Sequence, residues 1–331
     1  MKKSTQLLLM TLLITLSLLL PACAAKPTQP VGDTFSLPVG FVPNVQFAPL
    51  YAALDKGFFA EENITVTLDH SMETDTVSLV GANKIPFGIC SGEQVLLGRN
   101  QGLPLVYIAE WYEKYPVGVV SLKESGIETL EDLRGKKIGT PVLSGASYIG
   151  FEAMLQHQGM TDSDVTLETV GYTQSELLIS GKIDSAIIYV ANEPEQLKAL
   201  GYEIDLLKAS DYVQLVSNGL ITNEETIKNN PELVTRMTRA VLKGIDWTQQ
   251  HPDEAYEICK KYVDNLANAD NQELQKQVLL QSIELYQQDR STPLGTTDPA
   301  AWTQMAEVMK AMNLLKGDFD AANSFTNEFV K

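Results

Sequence analysis

The chain has 331 residues, with 42 Asp and Glu against 25 Lys and Arg, a formal charge of −17, and 44% hydrophobic residues. This is enough apolar material for about two domains of roughly 100–200 residues, and it excludes wholesale disorder, collagen and a multi-span membrane protein. So acidic a chain, without a long basic block, is a poor partner for nucleic acid or anionic lipid, and its three Cys are too few for a disulfide framework.

The first 22 residues read as an export signal. Lys2 and Lys3 precede the apolar run Leu7–Leu20, which is too short to span about 30 Å of hydrocarbon comfortably. The run ends in Leu20-Pro21-Ala22-Cys23, which resembles a bacterial lipobox although Pro21 is unusual there. We expect cleavage before Cys23 and acylation of its thiol, with two or more acyl chains giving a stable membrane anchor. Residues 23–34 then form a lipid-anchored tether, since Pro, Gly and Thr punctuate them without an apolar period. Cys90 and Cys259 sit in apolar runs and read as buried free thiols.

From Phe35 the apolar pattern alternates between periods of two and 3.6. Strands are expected at Phe35–Val42, Ile64–Asp69, Phe87–Cys90, Leu105–Trp111 and Val117–Leu122, with helices at Pro49–Phe59, Thr74–Ala82 and Glu93–Asn100. A second series starts at Lys136–Gly139. It continues with helix Ser147–Gln158, strand Val165–Val170, helix Ser175–Ile179, strand Ala186–Val190 and helix Glu193–Leu200. Leu215–Thr222 is one more strand, and 231–249, 253–263, 271–287 and 299–315 are helical. This rhythm predicts two α/β lobes, each a mostly parallel sheet flanked by helices. The first lobe needs helices that only the C-terminal block supplies. We therefore assign 35–122 and 216–331 to lobe one and 123–215 to lobe two, joined by a two-crossing hinge, with the ligand between the lobes at strand C-termini.

Familiar chemical motifs are missing. The three His are far apart and no His-Glu-x-x-His, Cys-x-x-Cys, G-x-G-x-x-G or P-loop occurs, so no metal, cofactor or nucleotide site is expected. Gly145–Gly150 has one residue too many for a nucleophile elbow.

The segment Phe41–Phe59 (FVPNVQFAPLYAALDKGFF) resembles the opening of a known family, the solute-binding proteins of ABC importers for thiamine pyrimidine precursors, riboflavin, taurine, alkanesulfonates and nitrate. Gly88–Val95, Leu130–Gly139, Gly181–Ala186 and Val190–Pro194 resemble later family segments in order and spacing. The resemblance implies the two-lobe periplasmic-binding-protein fold (type II), no catalysis, and a lipid-anchored monomer outside the cytoplasmic membrane. Its partners would be a permease with its ATPase. A pyrimidine-synthase-like enzyme is the alternative of another class.

Ligand candidates are the side chains that follow predicted strand ends. They are Asn44, Gln46, Phe47 and Tyr51 in the first loop, Ser91 and Glu93 in the second, and Trp111 and Tyr112 after the next strand. Lobe two adds Ser144, Ser147 and Tyr148 at a helix start, and Tyr189, Asn192 and Glu193 after a strand. Ser91 serves equally well as an N-cap, and Phe47 as a core residue closing a loop base. The set is rich in aromatics and amides and contains no Arg, which favours a flat neutral heterocycle over nitrate or a sulfonate. The thiamine-pyrimidine members often carry His where this chain has Phe47, so the wider isoalloxazine of riboflavin is preferred over formylaminopyrimidine.

Overall fold

The computed structural model describes residues 32–268 and 270–331. The signal peptide 1–22, Cys23 and the tether up to residue 31 lie outside the described residues.

Strand β1 (Asp33–Pro38) leads into α1 (Ala48–Asp55) and α2 (Phe58–Glu61), then β2 (Ile64–Asp69), whose alternation buries Ile64 and Val66. One helix was expected over Pro49–Phe59. Instead Gly57, at φ +78°, ends the first and starts the second. The chain continues with α3 (Glu73–Gly81), β3 (Gly88–Ser91), α4 (Gly92–Asn100), β4 (Leu105–Glu110), β5 (Val117–Leu122), β6 (Lys137–Thr140), α5 (Gly145–His157) and β7 (Thr166–Thr169). Next come α6 (Gln174–Ile179), β8 (Ser185–Tyr189), α7 (Glu193–Ala199), β9 (Ile204–Lys208) and β10 (Asn218–Asn223). Five helices follow: α8 (Glu224–Asn229), α9 (Pro231–Gln250), α10 (Pro252–Cys259), α11 (Gln272–Ile283) and α12 (Pro299–Ala311).

The sheets repeat one plan. In the second lobe the order is β7-β6-β8-β5-β9, with β6 parallel to β7 and β8, and β5 antiparallel to β8 and β9. In the first lobe β2 and β1 pair in parallel, β1 lies beside β3, and β10 runs antiparallel between β3 and β4. The antiparallel strand of each sheet is the one that arrives from the other lobe. It enters over the C-terminal edge and so runs back against its neighbours. Because β5 pairs in the second sheet, the first crossing lies between Glu110 and Val117, earlier than the boundary expected at 122/123. The return runs between Lys208 and Asn218.

Both crossings meet where side chains are tightly fitted. At Gly219 a Cβ would fall 2.2 Å from the Tyr107 ring and 2.4 Å from the Ala109 carbonyl oxygen, so only glycine lets β10 lie flat there. Gly150 similarly admits the Tyr115 ring. In lobe one α9 lies on α1 so closely that a Cβ on Gly244 would fall 2.3 Å from the Pro49 carbonyl oxygen. Helix α12 brings the fully buried Trp302 edge-on to Tyr107, at 5.2 Å between centroids. Cys90 and Cys259 are free, buried thiols, and burial pushes both above the usual thiol range. Among the described residues no helix is long and apolar enough to cross a membrane.

Candidate functional site

The C-terminal ends of the strands of both lobes face one another, and two contacts tie the lobes together there. Phe41, beyond β1, meets Tyr172, beyond β7, at 6.2 Å between ring centroids. The Tyr115 hydroxyl, in the first crossing, donates to the Ala146 carbonyl in the first turn of α5 at 3.0 Å. Tyr189, at the end of β8, lies near enough to Glu73, Glu93, Tyr112 and Tyr172 for their charges to raise its hydroxyl above the usual range, after burial.

An aromatic series lines the lobe-one side. His70 receives Phe47 edge-on at 5.6 Å, Phe47 meets Trp111 at 6.2 Å, Trp111 meets Tyr112 at 5.9 Å, and Tyr112 meets Tyr286 at 5.6 Å. His70 Nδ1 lies 2.6 Å from the Phe41 carbonyl oxygen, which fixes the ring against the first loop. Phe47 is half-buried, whereas Trp111 and Tyr112 are 3% and 7% exposed. The Trp111 indole N–H and the Tyr286 hydroxyl are both buried and face one another.

Beside this series lies a carboxylate pair. Glu73 opens α3, and its carboxylate accepts the Ser91 hydroxyl at 2.7 Å, the Asn218 amide at 2.9 Å and the Ser91 backbone N–H at 3.5 Å. The other partner of the Ser91 hydroxyl is Glu93, which is wholly buried and whose second oxygen has no partner among the described residues. Burial, and then the neighbouring Glu73 charge, push the Glu93 carboxyl up to about 8. Burial likewise raises Glu73, against its bonds to Ser91 and Asn218. Gly40, at φ +81°, sits where a Cβ would fall 2.7 Å from the Glu73 side chain, so the first loop is shaped around this carboxylate.

The structure thus brings Phe47, Ser91, Glu93, Trp111, Tyr112 and Tyr189 together, but several other expected contacts are spent on the fold. Tyr51 is 1% exposed and stacks on Tyr262 at 4.7 Å, so it belongs to the core beneath the first loop. The Asn44 side chain accepts from the Gln46 N–H and donates to the Val42 carbonyl, holding its own turn. Asn192 donates to Glu193, which also accepts the Tyr189 N–H, so both side chains brace the β8–α7 turn. Ser144 and Ser147 stand at the exposed start of α5, where neither caps the helix, and Tyr148 lies beside Glu152 one turn along. Gln46 is half-buried in the first loop.

Glu73, His70 and Asn218 escaped the sequence reading. An acid at a helix start is common for the helix dipole alone, so Glu73 carries no signal of its own in the sequence. The strand-end rule that selected the loops after β1, β3 and β4 applies equally to the loop after β2, and would have found His70 and Glu73. Among the described residues no group of three or more His, Cys, Asp or Glu is placed to hold a metal.

The family model described as NMT1/THI5 like matches residues 44–255, more than half of the chain. The chain belongs to the NMT1/THI5-like family. A relative named riboflavin-binding protein RibY, from Chloroflexus aurantiacus, is 36% identical across 98% of both chains. The formylaminopyrimidine-binding protein of Halalkalibacterium halodurans is 27% identical over 89% of this chain and 90% of its own. This NMT1/THI5-like chain is also 25% identical to a 4-amino-5-hydroxymethyl-2-methylpyrimidine phosphate synthase of Saccharomyces cerevisiae, over 90% of this chain and 88% of that one. Among solved structures, the periplasmic aliphatic sulphonate binding protein SsuA of Escherichia coli superposes with a TM-score of 0.70 at 14% identity, covering 88% of this chain and 92% of that one. A Candida albicans protein described as having the generic periplasmic binding protein fold gives 0.60 at 16% identity, over 88% and 96%. This likeness establishes the fold, the two-lobe periplasmic-binding-protein arrangement expected from the sequence.

Proposed function

We propose that the protein is an extracytoplasmic solute-binding lipoprotein of an ABC importer, and that its solute is riboflavin, which it hands to a permease. The observation that carries this reading is the series Phe47–Trp111–Tyr112, with Tyr189 opposite, set beside a carboxylate pair, with no Arg or Lys among these side chains. A wide, neutral, flat ring gains from aromatic faces about 0.5–1.5 kcal/mol per contact beyond its buried area. An anion such as nitrate or a sulfonate would meet Glu73 and Glu93 instead of cations. The 36% identity with a protein named for riboflavin binding supports the same choice, and formylaminopyrimidine is the second reading, supported by the 27% relative. Binding without chemical change is the role in which these residues are read.

The test is direct. Protein purified without denaturation and titrated with riboflavin is expected to show flavin absorbance and strong quenching of Trp fluorescence, with the ligand recovered unchanged. Tight binding of taurine or nitrate in place of flavin would overturn the ligand. The anchor is tested separately: Cys23→Ser should move the protein from the membrane to the soluble fraction, and a variant that stays membrane-bound would overturn the lipid anchor.

A further inference from the structure

The Ser91 hydroxyl stands between two carboxylates, against Glu73 at 2.7 Å on one side and hydrogen-bonded to Glu93 on the other. A hydroxyl carries one proton, so it donates to one carboxylate only. The second contact is a hydrogen bond only if that carboxyl is itself protonated and donates to the serine oxygen. Glu93 is the acid. It is wholly buried, and Glu73 has the richer set of donors in Ser91 and Asn218. The relay therefore runs from the Glu93 carboxylic acid to the Ser91 oxygen, and from the Ser91 O–H to the Glu73 carboxylate. It leaves one negative charge in the cleft, and no Lys or Arg pairs with either carboxyl among the described residues. The free oxygen of Glu93 is then a buried carbonyl-type acceptor without a donor.

We propose that Glu73 and Glu93 form a donor-reading, anion-excluding subsite: it accepts N–H or O–H groups of an uncharged ligand and rejects the phosphate monoester of the same ligand. The free Glu93 oxygen takes a ligand donor, and the charge on Glu73 repels an added phosphate in a site with little water to screen it. This deepens the reading above and rests on it for the choice of ring.

Riboflavin and its 5′-phosphate differ only in that charged group, so titrating both against the wild type tests the subsite. The phosphate should bind at least about 100-fold more weakly, since like charges brought together cost several kcal/mol. Glu93→Gln keeps a donor toward Ser91 and no charge, so it should preserve that ratio at pH 7. Glu73→Gln alone lets Glu93 ionise in its place, so the charge is removed only when Glu73→Gln is combined with Glu93→Gln, and that double variant should shrink the ratio to less than about tenfold. A measurement on the wild type alone guards against a misfolded variant. Between pH 7 and 9 Glu93 ionises, while Cys90, Tyr115 and Tyr189, which also face the pair, are held above their ordinary ranges by burial and stay neutral. The ratio should therefore widen with pH in the wild type and stay level in Glu93→Gln. Equal affinity for both flavins, or a ratio in the double variant equal to that of the wild type, overturns the subsite. If neither flavin binds, the riboflavin reading fails by itself. The subsite then stands if formylaminopyrimidine binds and taurine and nitrate do not, and falls if either anion binds tightly.

Discussion

Replacing Phe47 by Ala should weaken riboflavin binding about 5–150-fold while leaving the melting temperature nearly unchanged. Phe47 is half-buried in the first loop, packed against the core and T-shaped to His70 and Trp111, and its exposed part is the face a ring can meet. Losing that face removes about 1–3 kcal/mol of burial and aromatic contact from the complex. Trp111→Ala is expected to behave differently. With Trp111 3% exposed and packed between Phe47 and Tyr112, truncation leaves a cavity and should cost about 3–5 kcal/mol of stability as well as affinity. Trp111, expected from the sequence as a ligand contact, is thus a core residue as well. Isothermal titration and thermal melts of both variants separate the two effects. A Phe47→Ala protein that binds flavin as the wild type does would remove Phe47 from the site.

Stability should fall as pH rises from about 4.5 to 8, by an amount on the order of a few kcal/mol. Glu93 and Glu110 are both pushed up to about 8, chiefly by burial, with Glu73 next in importance for the first and Glu113 for the second. An acid raised in the folded state binds its proton more tightly there than in the unfolded chain. Its contribution is therefore fully present below the unfolded value near 4.5 and is lost as pH rises through the folded value near 8. Asp132, Asp164 and Asp289 are held below the usual range by hydrogen bonds from neighbouring donors, and they act in the opposite sense only at lower pH. The control is Glu93→Gln, which stays neutral throughout. It should match the wild type near pH 5 and exceed it in melting temperature near pH 8.5. If the variant and the wild type keep a constant difference across that range, Glu93 is not the buried acid described above.

What the sequence by itself determined was the order of elements and the loops that carry the site. The period-two run Ile64–Asp69, the long amphipathic helix Pro231–Gln250 and the alternation of strands with helices are local patterns, set by which side chains a helix or strand can bury on one face. Trp111, Tyr112, Ser91 and Glu93 were legible because they follow strand ends in an α/β lobe. The tertiary structure alone decided which polar groups are free. Asn44 and Asn192 have suitable chemistry but spend it on their own turns, and Tyr51 stands under the site, stacked on Tyr262, 211 positions away in sequence. The pairing of Glu73 with Ser91 and Asn218 likewise joins residues 18 and 145 positions apart. The strand Val117–Leu122 could be recognised as a strand, but not as a member of the second sheet, because its hydrogen-bond partners come from β8 and β9. A local pattern records which face of an element is apolar. The partner that face or donor meets is chosen only when distant segments close together, and that closure buries Glu93 and leaves one of its oxygens without a donor.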